Sequence, residues 1–527
     1  KIKEKYPDFK IIRGNEIYLV RNGLNASNFV KGQDKYTHFL LLALDEIGHK
    51  QIRELSTRAW LRSYMGTGRR RVPTYYQDLW DIIAPNPGHI VASSACIGGS
   101  LGTQLLRYRD NHDINLLAKI KAWCQQLEQL FGKGNFYLEM QPSNGDEQVY
   151  VNKQIVQLSQ ELNIPCIITT DSHYLKKDDL KIERAFLRSQ NSEREVDSFY
   201  ATTYMMNTEE VHSYMDKYIP AEVIEQAFAN INSIFDRAQD YSLKRALKIP
   251  SLPWRALAQY TAEQVEHYIS LMPTLAKFRD SEYAADRRLV LAVVEGIRRH
   301  PDLQNKESYD ELELCLQDTW ISSQVNKAQW SAYFLNLQRI LDECWESGTI
   351  VGCGRGSGVG FLLLYCLDIT QINPLREKAK TFRFRFLNPN RVSVLDIDVD
   401  ISGLNRAQVL DHIRKVYGQD HVANVLTLRR ETAKSAILAA GRSLGIDNDV
   451  TQYISSLIPV ERGMLWSLKD CMYGNGDDRA PVSAFVQAMT EDYPEIWEIV
   501  QKTENLIVGM GEHAGGVIFV DEPFEDS

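Results

Sequence analysis

Apolar and acidic residues alternate over "VSVLDIDVDIS", residues 392–402, which puts Asp396, Asp398 and Asp400 at every second position. Because successive side chains of a strand point to opposite faces, this pattern predicts a β-strand with three carboxylates on one face. Their mutual repulsion has to be offset, and Mg²⁺, which prefers carboxylate oxygens, would do so. The alternative is a half-buried edge strand with a solvated acidic face.

Other segments show clear periodicities. "NFYLEMQPS" (135–143) reads as a strand, "EQVYVNKQIVQLSQELN" as an amphipathic helix and "IPCIITTDSH" as a second strand, which together predict a parallel sheet. Helical patterns fill 205–247 and most of 255–350, and the proline-containing "KIPSLPW" (248–254) between them predicts a linker.

Composition narrows the class of protein. A chain of 527 residues predicts two to four domains. The net charge of −9, from 60 basic and 69 acidic residues, argues against a uniformly basic nucleic-acid coat but allows a local basic cleft. The eight cysteines form no CxxC pair, so the pattern favours a reducing cytoplasm. Apolar runs such as "FLLLAL" are too short to span a membrane, and the opening at Lys1 suggests a piece of a longer protein.

A glycine-rich turn, "GCGRGSGVG", spans residues 352–360. Closely spaced glycines allow backbone N–H groups to approach phosphate oxygens, and Arg355 and Ser357 add a guanidinium and a hydroxyl donor. The spacing excludes a Walker A motif, and a flexible loop is the alternative. A phosphate cradle about forty residues before paired carboxylates is typical of two-metal phosphoryl or nucleotidyl transfer.

These motifs resemble those of the bacterial DNA polymerase III α subunit, the C-family replicase. "VGCGRGSG" is similar to the family's VGPGRGSA, and "RFLNPNRVSVLDIDVD" is similar to RFLNPERVSMPDIDID. "YCLDITQINPL", "VYGQDHVANVLT" and "HAGGVIFV" match further family segments in the same order. The resemblance runs through nearly the whole chain and is strongest over 345–445.

The resemblance implies an α/β multidomain protein in which a PHP domain, a distorted (βα)7-like barrel, precedes a polymerase-β-like palm and a helical thumb. It places the PHP domain at 1–205, a helical segment and linker at 206–254, the palm at 255–430, the thumb at 431–508 and a returning palm segment at 509–527.

The resemblance also implies roles for palm residues. Asp396 and Asp398 would hold two Mg²⁺ ions and Asp400 would support the strand. The triphosphate of the incoming dNTP would contact a loop and two further arginines: Gly354, Arg355, Gly356, Ser357, Arg385 and Arg391. Arg385 and Arg391, like Lys434, are surface or salt-bridging residues in the alternative interpretation.

Two departures from the family pattern bear on activity. The third palm aspartate, the fingers and the segment that would bind the sliding clamp and other replisome subunits are expected beyond Ser527. "TLRRETAKSA" replaces the family's TFGTMKAKAA, which introduces Arg429 and Arg430 next to Lys434, and all three are candidate DNA contacts. We therefore expect no template-directed synthesis from residues 1–527 alone.

The resemblance further implies a PHP metal site for Zn²⁺ or Mn²⁺. Its candidate ligands are Glu16, His38, Cys96, Asp171 and His173. "TTDSHY" contains D-x-H, which on a strand would put a carboxylate and an imidazole on one face. The family's leading H-x-H strand is expected before Lys1. The basic run "TGRRRVP" (67–73) is either a surface loop or a phosphate contact.

Three interpretations of function remain open. The first is DNA-templated DNA synthesis on primer-template DNA with dNTP substrates, in the cytoplasm of a bacterial or phage-infected cell and without a membrane partner. The second is a PHP-type metal-dependent phosphoesterase or 3′–5′ exonuclease with the palm as a scaffold. The third is a non-catalytic half that needs a partner chain. The GRGS and D-x-D motifs favour the first.

Overall fold

The computed structural model describes residues 2–30, 34–66, 70–189, 200–244, 248–378, 382–388, 390, 397–476 and 478–524. These residues form two compact units. The first unit contains Lys1–Leu243 and Leu428–Met510, and the second unit contains Lys244–Thr427 and Gly511–Ser527. Among the described residues, no helix combines the length and the apolar composition that crossing a membrane requires.

The described strands range in length from two residues, as in β10, to the 13 residues of β12. They are β1 Gly14–Val20, β2 Thr37–Ala43, β3 Tyr64–Met65, β4 Arg70–Arg71, β5 Pro73–Tyr75, β6 Ile90–Ser93, β7 Phe136–Met140, β8 Cys166–Ile168, β9 Val422–Arg430, β10 Val460–Glu461, β11 Met464–Leu465 and β12 Ile507–Phe519.

Helices account for most of the remaining structure. In the first 243 residues they are α1 Ile2–Lys5, α2 Glu46–Leu61, α3 Tyr76–Ile83, α4 Ser100–Asn111, α5 Ile114–Phe131, α6 Asp146–Leu162, α7 Leu180–Ser189, α8 Thr208–Met215 and α9 Ala221–Arg237. The later ones are α10 Ala262–Leu271, α11 Thr274–Arg279, α12 Ala284–Arg299, α13 Lys306–Asn326, α14 Trp330–Glu346, α15 Leu362–Cys366, α16 Arg406–Tyr417, α17 Ala433–Leu444, α18 Asn448–Ser456, α19 Leu468–Tyr473, α20 Ser483–Gln487 and α21 Pro494–Thr503.

A six-stranded mixed sheet forms the centre of the first unit, in the order β5-β1-β2-β6-β7-β8. The pairs β1–β5, β6–β7 and β7–β8 are parallel, while β1–β2 and β2–β6 are antiparallel. The predicted strand–helix–strand unit is confirmed, because α6 connects the parallel strands β7 and β8. The mixed α/β class is thus as predicted, and the seven-stranded barrel stays a prediction.

Alternation along β2 explains which face of the sheet is covered. Phe39 and Leu41 are fully buried and pack with β1 and β7 residues and the surrounding helices. Glu16, Tyr18 and His38 lie on the opposite face, since Tyr18 pairs with His38 and strand side chains alternate. That face carries the candidate metal ligands.

Two further apolar clusters organise the rest of the chain. In the first unit, α17, α18, α19 and α21 share one core, to which Ile182 and Ala185 of α7 also contribute. In the second unit, the predicted helical region 255–350 forms α10 to α14, and these helices bury the entirely apolar helix α15.

The segment predicted as an acidic strand differs from the expectation. Residues 391–396, including Asp396 and Arg391, lie outside the described residues, and 397–400 join no ladder. Only Ile401 forms a bridge, antiparallel to Val351. A strand is stabilised by hydrogen bonds to a partner, and local alternation alone does not supply one.

Candidate functional site

The glycine-rich turn and the aspartate segment meet in the second unit. The Gly352 N–H donates to the Asp400 carbonyl at 2.7 Å, and the Ser402 N–H donates to the Ile350 carbonyl at 3.3 Å. These bonds flank the Val351–Ile401 bridge, so the two segments run antiparallel. Two motifs that are about forty residues apart in the sequence therefore form one site.

Arg355 connects the two aspartates that are described. Its Nη2 lies 3.0 Å from Asp398 Oδ1, and its Nε lies 3.7 Å from Asp400 Oδ1. Both carboxylates reach one guanidinium, so they lie on the same side of the segment, while Ile397 and Val399 pack against the apolar core. A cation of the protein itself thus offsets part of their repulsion.

The glycines allow this close approach. Gly354 has φ +123° and Gly356 has φ +74°, in the region that favours glycine. A Cβ on Gly356 would lie 3.3 Å from Asp398 Oδ2, so the loop backbone passes directly against the carboxylate. Ser357 then begins a short 3₁₀ turn, Ser357–Gly360.

The other sequence-predicted cations that the structure describes are Arg385, Arg429, Arg430 and Lys434. Arg385 is exposed in the 3₁₀ turn Arg383–Arg385, and the next residue, Phe386, packs under Gly358. Arg429 and Arg430 end β9, and Lys434 lies in the first turn of α17. These three belong to the first unit, whereas the aspartate segment belongs to the second.

A cavity of about 740 Å³ opens beside Arg355 and Asp398 in the second unit. Apolar side chains of α14 and β12 line much of it, and Lys248 and His513 add polar groups. The predicted linker borders this cavity through Lys248, Ile249, Pro250 and Leu252. The Trp254 indole N–H donates to Asn336 Oδ1 at 2.9 Å and so holds the end of the linker against α14. Sequence reasoning missed Lys248 and His513 because their proximity depends on long-range packing.

The first unit brings together the predicted PHP ligands. His38 Nδ1 lies 2.8 Å from Glu16 Oε1 and 3.3 Å from Cys96 Sγ, and ligand atoms of all three lie within 4.8 Å of one another. Hydrogen bonds to Cys96 and Glu16 raise the pKa of His38 to about 10. The hydrogen bond from His38 lowers the pKa of Glu16.

Asp171 and His173 lie near this group, beyond the end of β8. Contrary to the expectation, D-x-H does not lie on a strand, because β8 ends at Ile168 and Asp171 has φ +45°. His173 Nδ1 lies 3.9 Å from Asp171 Oδ1. Burial raises the pKa of Asp171, and the charges of His173 and His38 oppose that rise.

The donor set fits a borderline metal ion. A carboxylate, an imidazole and a thiol within one ligand sphere are the combination that Zn²⁺ accepts, and Glu16, His38 and Cys96 supply it. Below them, the buried Glu139 carboxylate accepts a hydrogen bond at 3.1 Å from Gln141 and others from Ser93 and Thr169. Burial raises the pKa of Glu139, and the acidic residue within the apolar "FYLEM" was the signal in the sequence.

A second group of potential ligands is an ion-pair network. Glu343, Glu346 and His412 approach one another in the second unit, and His412 Nε2 lies 2.7 Å from Glu343 Oε2. Arg339 pairs with both glutamates. Because this guanidinium already occupies the carboxylates, the group does not favour a metal ion.

Comparisons with known proteins match both parts of the chain. Residues 1–143 match the PHP domain family, and residues 320–527 match the bacterial DNA polymerase III alpha NTPase domain. Two relatives are each 34% identical to this chain over 99% of its length. They are a probable DNA polymerase of Bacillus subtilis (strain 168) and a DNA-directed DNA polymerase of Bacillus phage SPbeta. The DNA polymerase III subunit alpha of Aquifex aeolicus is 26% identical over 94% of this chain. The chain spans 41% of the length of each of these three relatives.

Proposed function

The chain is related over almost its whole length to the N-terminal portion of bacterial DNA polymerase III α subunits, and we propose that it contributes to DNA-templated DNA synthesis. The second unit would carry the phosphate-binding and metal-binding part of a palm. The observation that supports this most directly is the contact of the Arg355–Ser357 turn with Asp398.

The proposed chemistry is transfer of a nucleotide from dNTP to a primer 3′-OH. Asp396 and Asp398 would hold Mg²⁺, for which exposed carboxylate oxygens are suitable ligands. When bound, these ions supply Lewis-acid stabilisation of the attacking and leaving oxygens. Arg355 would exchange its carboxylate partners for triphosphate oxygens, and Gly356 and Ser357 would add backbone and hydroxyl donors.

The remaining proposals concern binding partners and location. Arg385 and Arg391 are proposed phosphate contacts, and Arg429, Arg430 and Lys434 are proposed DNA contacts. Primer-template DNA is the proposed macromolecular substrate. A sliding clamp and other replisome subunits are proposed partners, in the cytoplasm of a bacterial or phage-infected cell. The palm and thumb assignments and the domain limits given above are part of the same proposal.

Primer extension by a polymerase that contains this chain tests the assignment. Asp398→Asn should reduce extension by several orders of magnitude, because a lost metal ligand removes several kcal/mol of transition-state stabilisation. Asp411→Asn is the matched control, since Asp411 is an exposed carboxylate of the same unit. Its Oδ1 lies 3.8 Å from Arg414 Nη1, which is a long and weak ion pair. Near-normal extension by Asp398→Asn would refute the proposal.

The group of potential metal ligands in the first unit supports a second candidate function, metal-dependent phosphoester hydrolysis by the PHP domain. The supporting observation is the donor set of Glu16, His38 and Cys96. A 3′–5′ exonuclease assay with Mn²⁺ or Zn²⁺ tests it. Loss of hydrolysis in His38→Gln, with retention in Asp398→Asn, would support a separate PHP activity, whereas loss only in Asp398→Asn would exclude it.

A further inference from the structure

His513 lies in the second unit, on the face of β12 that borders the cavity of about 740 Å³. Because residues two apart along a strand share a face, four residues of β12 form one row: His513, Gly515, Val517 and Phe519. The last two of these pack against the same apolar cluster as Ile401, and all four line the cavity. His513 therefore faces the space that Arg355 and Asp398 also border.

The imidazole of His513 is held by the backbone of its own strand. Its Nδ1 accepts hydrogen bonds from the Gly516 N–H at 2.6 Å and from the Gly515 N–H at 3.1 Å. A ring nitrogen that accepts carries no proton, so the proton of the neutral ring is on Nε2. In the described part of the chain both hydrogen bonds of the ring are at Nδ1, which leaves the Nε2–H as a donor.

Glycine at position 516 makes this contact possible. A Cβ there would lie 3.1 Å from His513 Nδ1 and 2.9 Å from Val425 Cγ2, which is closer than side-chain carbons normally come. The backbone can therefore approach the ring only where it carries no side chain. The orientation of the imidazole is fixed by these local contacts, so Nε2 is positioned before any ligand binds.

Two other polar side chains of the cavity already have partners within the protein. Lys248 Nζ lies 3.0 Å from Asp521 Oδ1 and 3.0 Å from Glu522 Oε1. Asn336 accepts a hydrogen bond at Oδ1 and donates from Nδ2 to the Pro250 carbonyl at 2.6 Å. A ligand that uses either side chain has to break one of these contacts, whereas use of the imidazole Nε2–H requires no such exchange.

We propose that His513 donates a hydrogen bond from Nε2 to a phosphate oxygen of the incoming dNTP. The inference rests on the proposed function, because it requires the glycine-rich turn with Arg355 to hold the triphosphate. A neutral donor suits this place, since it contacts phosphate without adding repulsion toward the Mg²⁺ ions that Asp398 would bind. His513 would bind substrate and not transfer a proton, because its Nδ1 is occupied by backbone N–H groups and its Nε2 already carries a proton.

Two substitutions separate the donor of the ring from its acceptor. His513→Asn places an amide oxygen near the position of Nδ1, so it can keep the bonds from Gly515 and Gly516 but loses the donor at Nε2. His513→Gln reaches the position of Nε2 with an amide N–H and lacks the acceptor near Nδ1. Steady-state incorporation of a single nucleotide by a polymerase that contains this chain measures KM for dNTP and kcat.

His513→Asn should raise KM for dNTP about tenfold and change kcat much less, as expected for one lost hydrogen bond to a charged ground-state group. His513→Gln should keep KM within about threefold of the wild-type value. A ring that only supports the strand predicts the reverse order, with His513→Gln the more impaired variant. His267→Asn is the matched control, since His267 is an exposed histidine of α10 in the same unit and does not line the cavity.

A wild-type KM in His513→Asn, or an equal rise of KM in both variants, would overturn the inference. Asp398→Asn distinguishes this result from failure of the proposed function, which would show as near-normal extension by Asp398→Asn itself. If His513→Asn is not folded by circular dichroism, the imidazole ¹⁵N resonances of the wild-type protein, assigned with His513→Gln, decide. A protonated Nε2 whose resonance shifts on addition of dNTP supports the inference, and a proton on Nδ1 or an unchanged resonance contradicts it.

Discussion

Arg355 Nη2 lies 3.0 Å from Asp398 Oδ1, so the guanidinium of the glycine-rich turn pairs directly with a proposed metal ligand. The two side chains are 60% and 41% exposed, respectively, and an ion pair this exposed adds little to stability. The pair has another consequence, which is that Arg355 and a metal ion would compete for the Asp398 carboxylate. If Asp398 binds a metal ion as proposed, we expect the ion to weaken the pair with Arg355 and to leave the guanidinium available to a triphosphate.

Arg355→Ala should therefore change two affinities in opposite directions. Mn²⁺ affinity should rise up to about fivefold, since removing the pair removes up to about 1 kcal/mol of competition. Affinity for dNTP in the presence of Mn²⁺ should fall at least tenfold because a charged phosphate contact is lost. Electron paramagnetic resonance of free Mn²⁺ and dNTP titration measure the two effects.

Arg355→Lys is the control for this prediction. It retains the charge but loses the bidentate geometry, so dNTP affinity should lie between those of the wild type and Arg355→Ala. If Arg355→Ala lowers the Mn²⁺ affinity, Arg355 supports the metal ligands and does not compete for them.

Ser357→Ala should raise KM for dNTP about tenfold and leave kcat nearly unchanged. A single neutral donor to a ground-state phosphate mostly contributes uniform binding, and a net hydrogen bond is worth up to about 1.5 kcal/mol. Steady-state kinetics of a polymerase containing this chain measures both constants. Ser347→Ala is the control, because its hydroxyl donates to the Cys344 carbonyl at 2.6 Å, at the end of its own helix. An unchanged KM would contradict the phosphate role of the turn.

The local pattern of apolar and polar residues was sufficient to predict a strand or helix where that element is stabilised mainly by its own residues. The unit of β7, α6 and β8 and the helices of 255–350 formed as predicted. Helix α6 and most of these helices carry an apolar face at helical spacing, and β7 is a short apolar run. The grouping of Glu16, His38 and Cys96 was expected from the family resemblance alone, because the resemblance singled them out as candidate metal ligands.

Long-range contacts explain what the sequence did not indicate. The aspartate segment has the period of a strand, but only Ile401 finds a partner in the described part of the segment. Asp171 adopts a left-handed backbone, which D-x-H spacing does not reveal. The pairing of Arg355 with Asp398 also depends on how two distant segments fold together, so the sequence suggested a phosphate contact and not a carboxylate partner.

Cys96→Ser should lower the affinity of the first unit for Zn²⁺ at least tenfold, because a hydroxyl is a far weaker zinc ligand than a thiolate. Competition with a chromogenic chelator measures the affinity, and elemental analysis of the purified chain measures the stoichiometry. Cys353→Ser is the matched control, since Cys353 is an exposed free thiol in the second unit. Equal zinc affinity in the two variants would exclude Cys96 as a ligand.

Asp368 joins two arginines and a histidine in the second unit, and its lowered pKa makes the stability of this unit depend on pH. The carboxylate accepts hydrogen bonds from His300 Nε2 at 2.7 Å and from Arg255 Nη1 at 2.9 Å, and Arg299 Nη1 lies 2.9 Å away. Burial acts to raise the pKa of Asp368, but the hydrogen bonds from His300 and Arg255 outweigh it and hold the pKa below the usual value of 3.8.

The sign of the pH dependence follows from this lowered pKa. An acid whose pKa is lower in the folded state stabilises that state fully above its unfolded pKa, and the contribution is lost as pH falls through the folded value. Asp368→Asn should therefore reduce stability by about 1–3 kcal/mol at pH 7, and its difference from the wild type should shrink below about pH 4. Asparagine is the suitable replacement because Asp368 has φ +57°, which asparagine tolerates.

Hydrogen exchange of peptides from α12 and α15 measures this effect locally, which matters because a chain with two units need not unfold in one step. Exchange in Asp368→Asn should be faster at pH 7, after correction for the intrinsic rate, and should approach the wild-type rate at low pH. Asp310→Asn is the control, since Asp310 is 60% exposed and pairs with the exposed Lys306 one helical turn away. If Asp368→Asn exchanges like this control at pH 7, the network around Asp368 does not stabilise the second unit, and its pH dependence has to arise from other carboxylates.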